Sequence, residues 1–379
     1  MQIINANSTK LYYLTNLLYG TAVQNAGMAL DEDGNLATLS LLQEHNNSSL
    51  ATVYTQNNID DTSTIDLTNA TVNYSLGENL VGHAQSMTPV ILDMNLITMD
   101  PNKKATGKYK WPLNIGLMSA TYLDMDTTDT QPNGNVYDEN SNIIKFKKLK
   151  DISGLNSIRR LEFGIDASST DYACLVFTNN TDISLVVVSY NTNDMENEDQ
   201  YLLSSLTAQA EYVSELIATG ESVQSSDYLV DATKLHVISK IILPLQNFNE
   251  MTKAIAEKNN YSNIEKYNKF SLQGVSMDQY GNIYLSSGFG PEIGDTQQNP
   301  VFIVKIPHFG SNALNDITIL DLTENKQMHR DNFFIEPESI QVYDTNKLYL
   351  SYAYHEKTGN QSTKQNMLAK LTFWSSKAI

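Results

Sequence analysis

The sequence predicts an all-β fold, a five-bladed β-propeller with a helical insertion. Three observations predict it. A pattern of strand, tight turn and strand recurs five times along the 379 residues. Two of the copies share the same internal spacing. Both ends of the chain also read as strands, and a ring of sheets can close by pairing its first strand with its last.

The clearest copy runs from Ser271 to Pro307. Gln273-Gly274-Val275-Ser276-Met277-Asp278 alternates small or apolar residues with polar ones. Asp278-Gln279-Tyr280-Gly281-Asn282 follows as a turn, with Gly where positive φ is most needed. Ile283-Tyr284-Leu285-Ser286-Ser287 and Val301-Phe302-Ile303-Val304-Lys305-Ile306 read as the next two strands. Three such strands cannot bury their apolar faces alone. The chain therefore has to repeat the unit or cover it.

It repeats. The spacing from Gln273 to Tyr284 equals that from Glu338 to Tyr349. Ala26 to Leu39 carries the same strand, Asp-x-x-Gly-Asn turn and strand. Leu161 to Asp166, followed by Tyr172 to Phe177, is a looser copy. A fifth and more degenerate one runs from Gly82 to Met118. Small β-sheets in series that cover one another's faces make a propeller. Leu11 to Tyr19 and Ala369 to Trp374 are further strand patterns, and closure predicts that they share a blade.

One stretch breaks the strand periodicity. Between Asn197 and Gly220, Leu202, Leu203, Leu206, Ala210, Val213, Leu216 and Ile217 fall on one helical face. Gly220 is a plausible C-cap. Phe248 to Lys258 is a second helical candidate. The expected organisation is one propeller domain over 1–379, with a helix-containing insertion over 197–259 between blades.

Composition limits the function. There are 43 Asp and Glu against 25 Lys and Arg, a net charge of −18. Such a surface repels phosphate backbones, so nucleic acid is not an expected partner. It also disfavours simple electrostatic capture by anionic membranes or wall polymers, unless the charge is locally segregated or a cation bridges. The single cysteine, Cys174, excludes an internal disulfide and reads as a small buried hydrophobe. No stretch reaches the length of a transmembrane helix. Met1-Gln2-Ile3-Ile4-Asn5 lacks the charged and apolar regions of a cleavable leader.

No catalytic motif is present: no Gly-x-Ser-x-Gly, no His-Glu-x-x-His, no phosphate loop, no Cys/His metal spacing. One positional pattern offers a ligand site. The copies place a polar side chain near the start of their leading strand: Gln24 or Asn25, Gln85, Glu162, Gln273 and Glu338. Innermost strands line a propeller's channel, so these side chains could ring one mouth and bind a cation, a sugar or ordered water. They could equally be polar caps that satisfy strand-end groups. His83 and His355 are weaker additions. Asp124, Asp126 and Asp129 lie in a polar loop and could offer oxygens to Ca2+, the one cofactor the sequence suggests. The full EF-hand pattern is absent, and a solvated loop is the simpler reading.

The residues also resemble a family. Ser271-Leu272-Gln273-Gly274, Asp278, Gly281-Asn282-Ile283-Tyr284-Leu285-Ser286-Ser287 and Ile303-Val304-Lys305-Ile306-Pro307 resemble the C-terminal region of the helveticin J family, large heat-labile (class III) bacteriocins of lactobacilli. Glu338-Ser339-Ile340-Gln341, Leu348-Tyr349-Leu350, Ala353-Tyr354-His355, Leu371 and Trp374 match it too. Gly82-His83-Ala84-Gln85 and Glu162 resemble its middle segments. The family is similar to propellers of phage receptor-binding proteins, some of which recognise cell-wall polymers. The resemblance implies an antibacterial protein that binds a bacterial cell-envelope polymer or surface receptor and inhibits related Gram-positive bacteria. It implies a secreted or surface-associated protein, here without a recognisable leader, and supplies no catalytic residue. Two alternatives stand beside it: a non-lethal wall- or carbohydrate-binding module, and a cell-wall hydrolase with its site at the channel mouth.

Overall fold

The repeat folds around its turn aspartate. Asp278 is buried, and its Oδ1 accepts from the backbone N–H of Tyr280 (3.1 Å) and of Asn282 (3.0 Å). Its Oδ2 accepts from Asn282 Nδ2 (2.7 Å) and from the Tyr284 hydroxyl (2.9 Å). Gly281 takes φ 76°, the left-handed conformation that glycine adopts without strain. One carboxylate thus fixes the turn and ties it to the second strand. The first copy reuses the device: Asp31 Oδ1 accepts from Asn35 N–H at 2.7 Å. Ala37 stands where the tyrosine would be, so that link is missing there.

The computed structural model describes every residue except 7, 32–34, 45–49, 60–61, 82–85, 92–93, 102–109, 120–129, 132–133, 139–140, 167–170, 192–200, 291–296, 308–315, 345, 358–362 and 374–379. Five sheets form five blades. From the inside outwards, blade 1 is Val23–Leu30, Leu36–Glu44, Leu50–Asn57 and Thr71–Gly77. Blade 2 is Met87–Ile91, Met94–Pro101, Pro112–Ser119 and Ile144–Lys147. Blade 3 is Arg160–Ile165, Tyr172–Thr178, Asp182–Ser189 and Val237–Pro244. Blade 4 is Leu272–Met277, Ile283–Ser287, Phe302–Ile306 and Thr318–Asp321. Blade 5 is Phe333–Asp344, Lys347–Glu356, Thr363–Thr372 and, from the other end of the chain, Ser8–Thr15. Tyr12 pairs antiparallel with Leu368, so the two termini close the ring in one sheet, as the end patterns predict.

The innermost strands meet in the order 1-2-3-4-5-1 around an axis. Their approach is close enough to need missing side chains. A Cβ on Gly164 would lie 2.3 Å from the Val275 carbonyl oxygen of the next blade, a backbone atom that cannot swing aside. Side chains then stitch neighbouring blades. Gln341 of blade 5 donates to Met28 O (2.7 Å) and accepts from Met28 N–H (2.8 Å) in blade 1. Ser276 of blade 4 accepts from Val342 N–H of blade 5 at 2.9 Å.

Outer edges are covered by a device that the repeats do not reveal. Gly134–Tyr137, between the third and fourth strands of blade 2, adds a parallel strand to blade 1. Leu229–Asp231 does the same from blade 3 to blade 2, and Thr64–Asp66 from blade 1 to blade 5. Gln2–Asn5, preceding the outer strand of blade 5, pairs with Thr318–Asp321 of blade 4. Each blade so covered hides an edge that would otherwise pair with another chain. Among the described residues, the outer strand of blade 3 has no such cover.

The region 197–259 holds both expected helices, Leu202–Thr219 and Leu245–Lys258, and also two strands of the sheets. The first helix lies between the third and fourth strands of blade 3, and the second follows the fourth strand and leads to blade 4. Leu202, Leu203, Leu206 and Val213 pack against Leu96, Ile115, Leu117 and Phe146 of blade 2. The apolar face is shorter than the sequence suggests: Ile217 is 45% exposed, and the helix's members of this core end at Val213. Gly220 caps the helix at φ 75°, its N–H donating to Ile217 O at 3.0 Å. The second helix buries Phe248 and Ile255 against Phe270 and Phe302 of blade 4. Burying one phenylalanine of this kind contributes about 1.5–3 kcal/mol. Cys174 lies in the same cluster, and burial pushes its thiol pKa up.

Candidate functional site

The sequence directs attention to the axis, where five inner strands begin. Of the expected ring, the structure describes Gln24, Asn25, Glu162, Gln273 and Glu338, all buried. Gln85, its neighbour His83 and the loop acids Asp124, Asp126 and Asp129 lie outside the described residues.

Each described member has its own surroundings. Glu162, fully buried, accepts from Arg160 Nε at 2.8 Å through Oε1 and from the Ser86 hydroxyl through Oε2. Arg160 stands over the Trp111 ring, its guanidinium carbon 3.9 Å from the centroid, which is a cation–π contact. Oε2 thus ties blade 3 to the residue leading into blade 2, while Oε1 pairs with Arg160 of its own strand. Gln273 donates to the Gly288 carbonyl at 2.6 Å and so anchors the loop after blade 4's second strand. Gln24 keeps its Oε1 without a hydrogen-bond partner among the described residues. Asn25 lines the axial cavity, with Ser86, Gly164, Ser276 and Gln341 from the other blades. That cavity has room of about 20 Å³ for the centre of a water-sized sphere. A volume of this size holds about one water and no larger ligand.

Glu338 differs from the rest. No hydrogen bond to its carboxyl occurs among the described residues, and only 3% of the residue is exposed. Burial, then the neighbouring carboxylates Glu336 and Glu44, push its pKa well above the usual range. Desolvation penalises the charged form, and like charges add to the penalty. His355 sits one step outwards, its Nε2 2.8 Å from Glu336 Oε2. The structure thus brings Glu338 and His355 to the same end of blade 5. Asn25 is the one described ring member on the axial cavity wall; Gln24, Glu162, Gln273 and Glu338 do not line it.

Glu44 and Glu336 were not foreseen from sequence. Glu336 precedes Glu338 by two residues, so strand alternation could have placed both on one face. Glu44 ends the second strand of blade 1, and only the tertiary fold brings it near. No group of three His, Cys, Asp or Glu among the described residues could hold a metal ion. A larger recess, about 430 Å³, opens at the outer rim between blades 4 and 5.

Residues 232–375 match the family described as bacteriocin helveticin-J. These residues include the fourth strand of blade 3 and all of blade 4 and blade 5 except the strands given by the N-terminus. Helveticin-J of Lactobacillus helveticus is 32% identical over 108 residues, 27% of this chain and 32% of that protein. The match thus spans about a third of the curated relative's length. Among solved structures, a PQQ-bound aldose sugar dehydrogenase from Streptomyces coelicolor aligns over 97% of this chain and all of its own, at 8% identity and a TM-score of 0.34. A protein of unknown function from Dyadobacter fermentans aligns over 98% and 99%, at 7% identity and a TM-score of 0.39. Likeness at this level adds nothing to what the five sheets show.

Proposed function

From the helveticin-J family region that this chain carries over 232–375, we propose that the protein is a bacteriocin-like antibacterial agent. It acts outside the cell that makes it, binds a component of the bacterial envelope and inhibits related Gram-positive bacteria. The observation that carries this reading is the family match itself, which falls on two adjoining blades and the helix Leu245–Lys258 rather than on an isolated motif. The geometry is consistent with binding at the rim: the axial cavity is too small for an envelope fragment, and the Glu162 and Gln273 side chains are engaged in internal hydrogen bonds.

Purified full-length protein, applied to lactobacillus and enterococcus indicator strains, is expected to inhibit growth and to sediment with their isolated walls. Sedimentation without loss of viability would select the non-lethal wall-binding reading. A hydrolase at the channel mouth has less support, because both oxygens of Glu162 already accept hydrogen bonds. Release of soluble fragments from purified walls would revive it.

A further inference from the structure

The recess at the rim is built from three separated segments. Asn5 ends the parallel strand on blade 4, Lys258 and Asn259 end the second helix, and 321–327 turn out of blade 4. Its floor is preorganised. The buried Asp321 carboxylate accepts from Lys258 Nζ (2.9 Å), Asn259 Nδ2 (3.1 Å) and the Thr323 N–H (3.0 Å). Lys258 Nζ also donates to Asn5 Oδ1 at 2.9 Å.

These contacts decide what the recess can bind. Its formal charges, Lys258 and Lys326 against Asp321 and Glu324, cancel. A cation would have to displace three donors from Asp321. An anion would compete with Asp321 for Lys258. What is left over is a mixed set of neutral groups. Asn259 donates both amide protons, to Asp321 and to Ile255 O, so its Oδ1 is a free acceptor among the described residues. Asn5 uses its oxygen on Lys258 and keeps its Nδ2 donors. Lys258 uses two of its three protons. The exposed Gln327 amide adds one donor group and one acceptor at the rim. Outside the lining, the buried Tyr261 hydroxyl has no hydrogen-bond partner among the described residues, and burial, then Glu324, Tyr267 and Asp321, raise its pKa. The volume, about 430 Å³, is within the range of small-molecule sites.

We propose that this recess binds a neutral, polyhydroxylated ligand, namely an uncharged sugar residue of an envelope glycan. Each sugar hydroxyl both donates and accepts, which matches a mixed set of amide oxygens and N–H groups and does not match a single-signed site. The proposal rests on the reading that the protein binds the envelope, and names the ligand class and the place.

The test uses full-length protein with N-acetylglucosamine and glucose as probes, and glycerol 3-phosphate as the anionic control. Binding is followed by calorimetry and saturation-transfer NMR. Both sugars are expected to bind in the millimolar range, and the phosphate not to bind. Asn259→Ala is expected to weaken sugar binding on the order of tenfold, about one hydrogen bond's contribution. Gln327→Ala, at an exposed position that leaves the floor intact, is expected to weaken it several-fold while melting unchanged. The proposal is overturned if neither sugar binds, if glycerol 3-phosphate binds in their place, or if both variants bind sugar like the parent. Sedimentation with isolated walls is run alongside. Walls bound without any sugar effect sink the pocket and leave the envelope reading standing; sugar bound without walls does the reverse.

Discussion

The axis and the rim of this propeller handle polar groups in opposite ways. Along the inner strands, Glu162, Gln273, Ser276 and Gln341 are buried or half-buried and tie one blade or loop to another, and the cavity that Ser276 and Gln341 line holds about one water. At the rim, Asn5, Asn259 and Lys258 keep unused donors and acceptors and line a recess some twenty times larger. Five strands converging on a line leave no room for a ligand between them. The rim has space because connections of different length meet there. Position in the fold, more than residue type, decides which polar group is available for recognition.

The largest effect expected from this contrast is at Gly164. Alanine there puts a methyl 2.3 Å from Val275 O and 2.6 Å from Ser276 N, both backbone atoms of the next blade. Overpacking that side chains can absorb costs about 1–3 kcal/mol; here the obstacles are backbone atoms well inside any ordinary Cβ contact, so two blades must part and the cost exceeds that range. Gly164→Ala is expected to give little soluble protein, or a melting temperature many degrees lower. Parent-like melting would show that the inner strands are looser than described.

Next is Glu162→Gln. Arg160 is buried and stacked on Trp111, so removing its carboxylate leaves a cation without a counter-charge. Breaking a buried pair in this way costs about 3–5 kcal/mol. Denaturant unfolding is the measurement. A stable variant that has lost only activity would favour the catalytic reading of Glu162 over the structural one.

Glu338 makes a smaller and pH-dependent prediction. Its pKa is raised in the folded state, so the native protein binds this proton more tightly than the unfolded chain does. The favourable contribution is fully present below the unfolded glutamate pKa of about 4.3, and is lost as pH rises through the folded value. Glu338→Gln keeps the shape and removes the ionisation. The variant is expected to melt higher than the parent near neutral pH, with the gap closing on acidification towards pH 4. A gap that does not vary over this range would mean that the folded state does not raise the Glu338 pKa.

The propeller was legible in the sequence because its turn is a local device: Asp278, Gly281, Asn282 and Tyr284 carry the geometry within seven residues, and a copy leaves recognisable letters. Blade 2 was less legible; its second strand, Met94–Pro101, lies inside the degenerate copy and has no such turn to mark it. The parallel cover strands were invisible, since three or four residues such as Thr64–Asp66 have no periodicity to read. The sites divide the same way. Strand-start positions pointed to Glu162 and Glu338, yet could not say that one is paired and the other is not. The rim recess left no trace at all, because residues 5, 258–259 and 321–327 meet only through blade closure.

The smallest effect tests the rim from its other side. Ile217 is 45% exposed on the last turn of the long helix, and Tyr212 is 49% exposed one turn earlier. Neither fills a hole in the blade 2 core, whose helical contacts end at Val213. Replacing an exposed residue away from caps and cores changes stability by roughly 0.5 kcal/mol or less. Ile217→Gln is therefore expected to melt within a degree or two of the parent. Assayed against an indicator strain, it separates two uses of the rim. Unchanged inhibition leaves recognition with the blade 4 and 5 side, whereas inhibition lost at unchanged melting would move the contact to the apolar end of this helix.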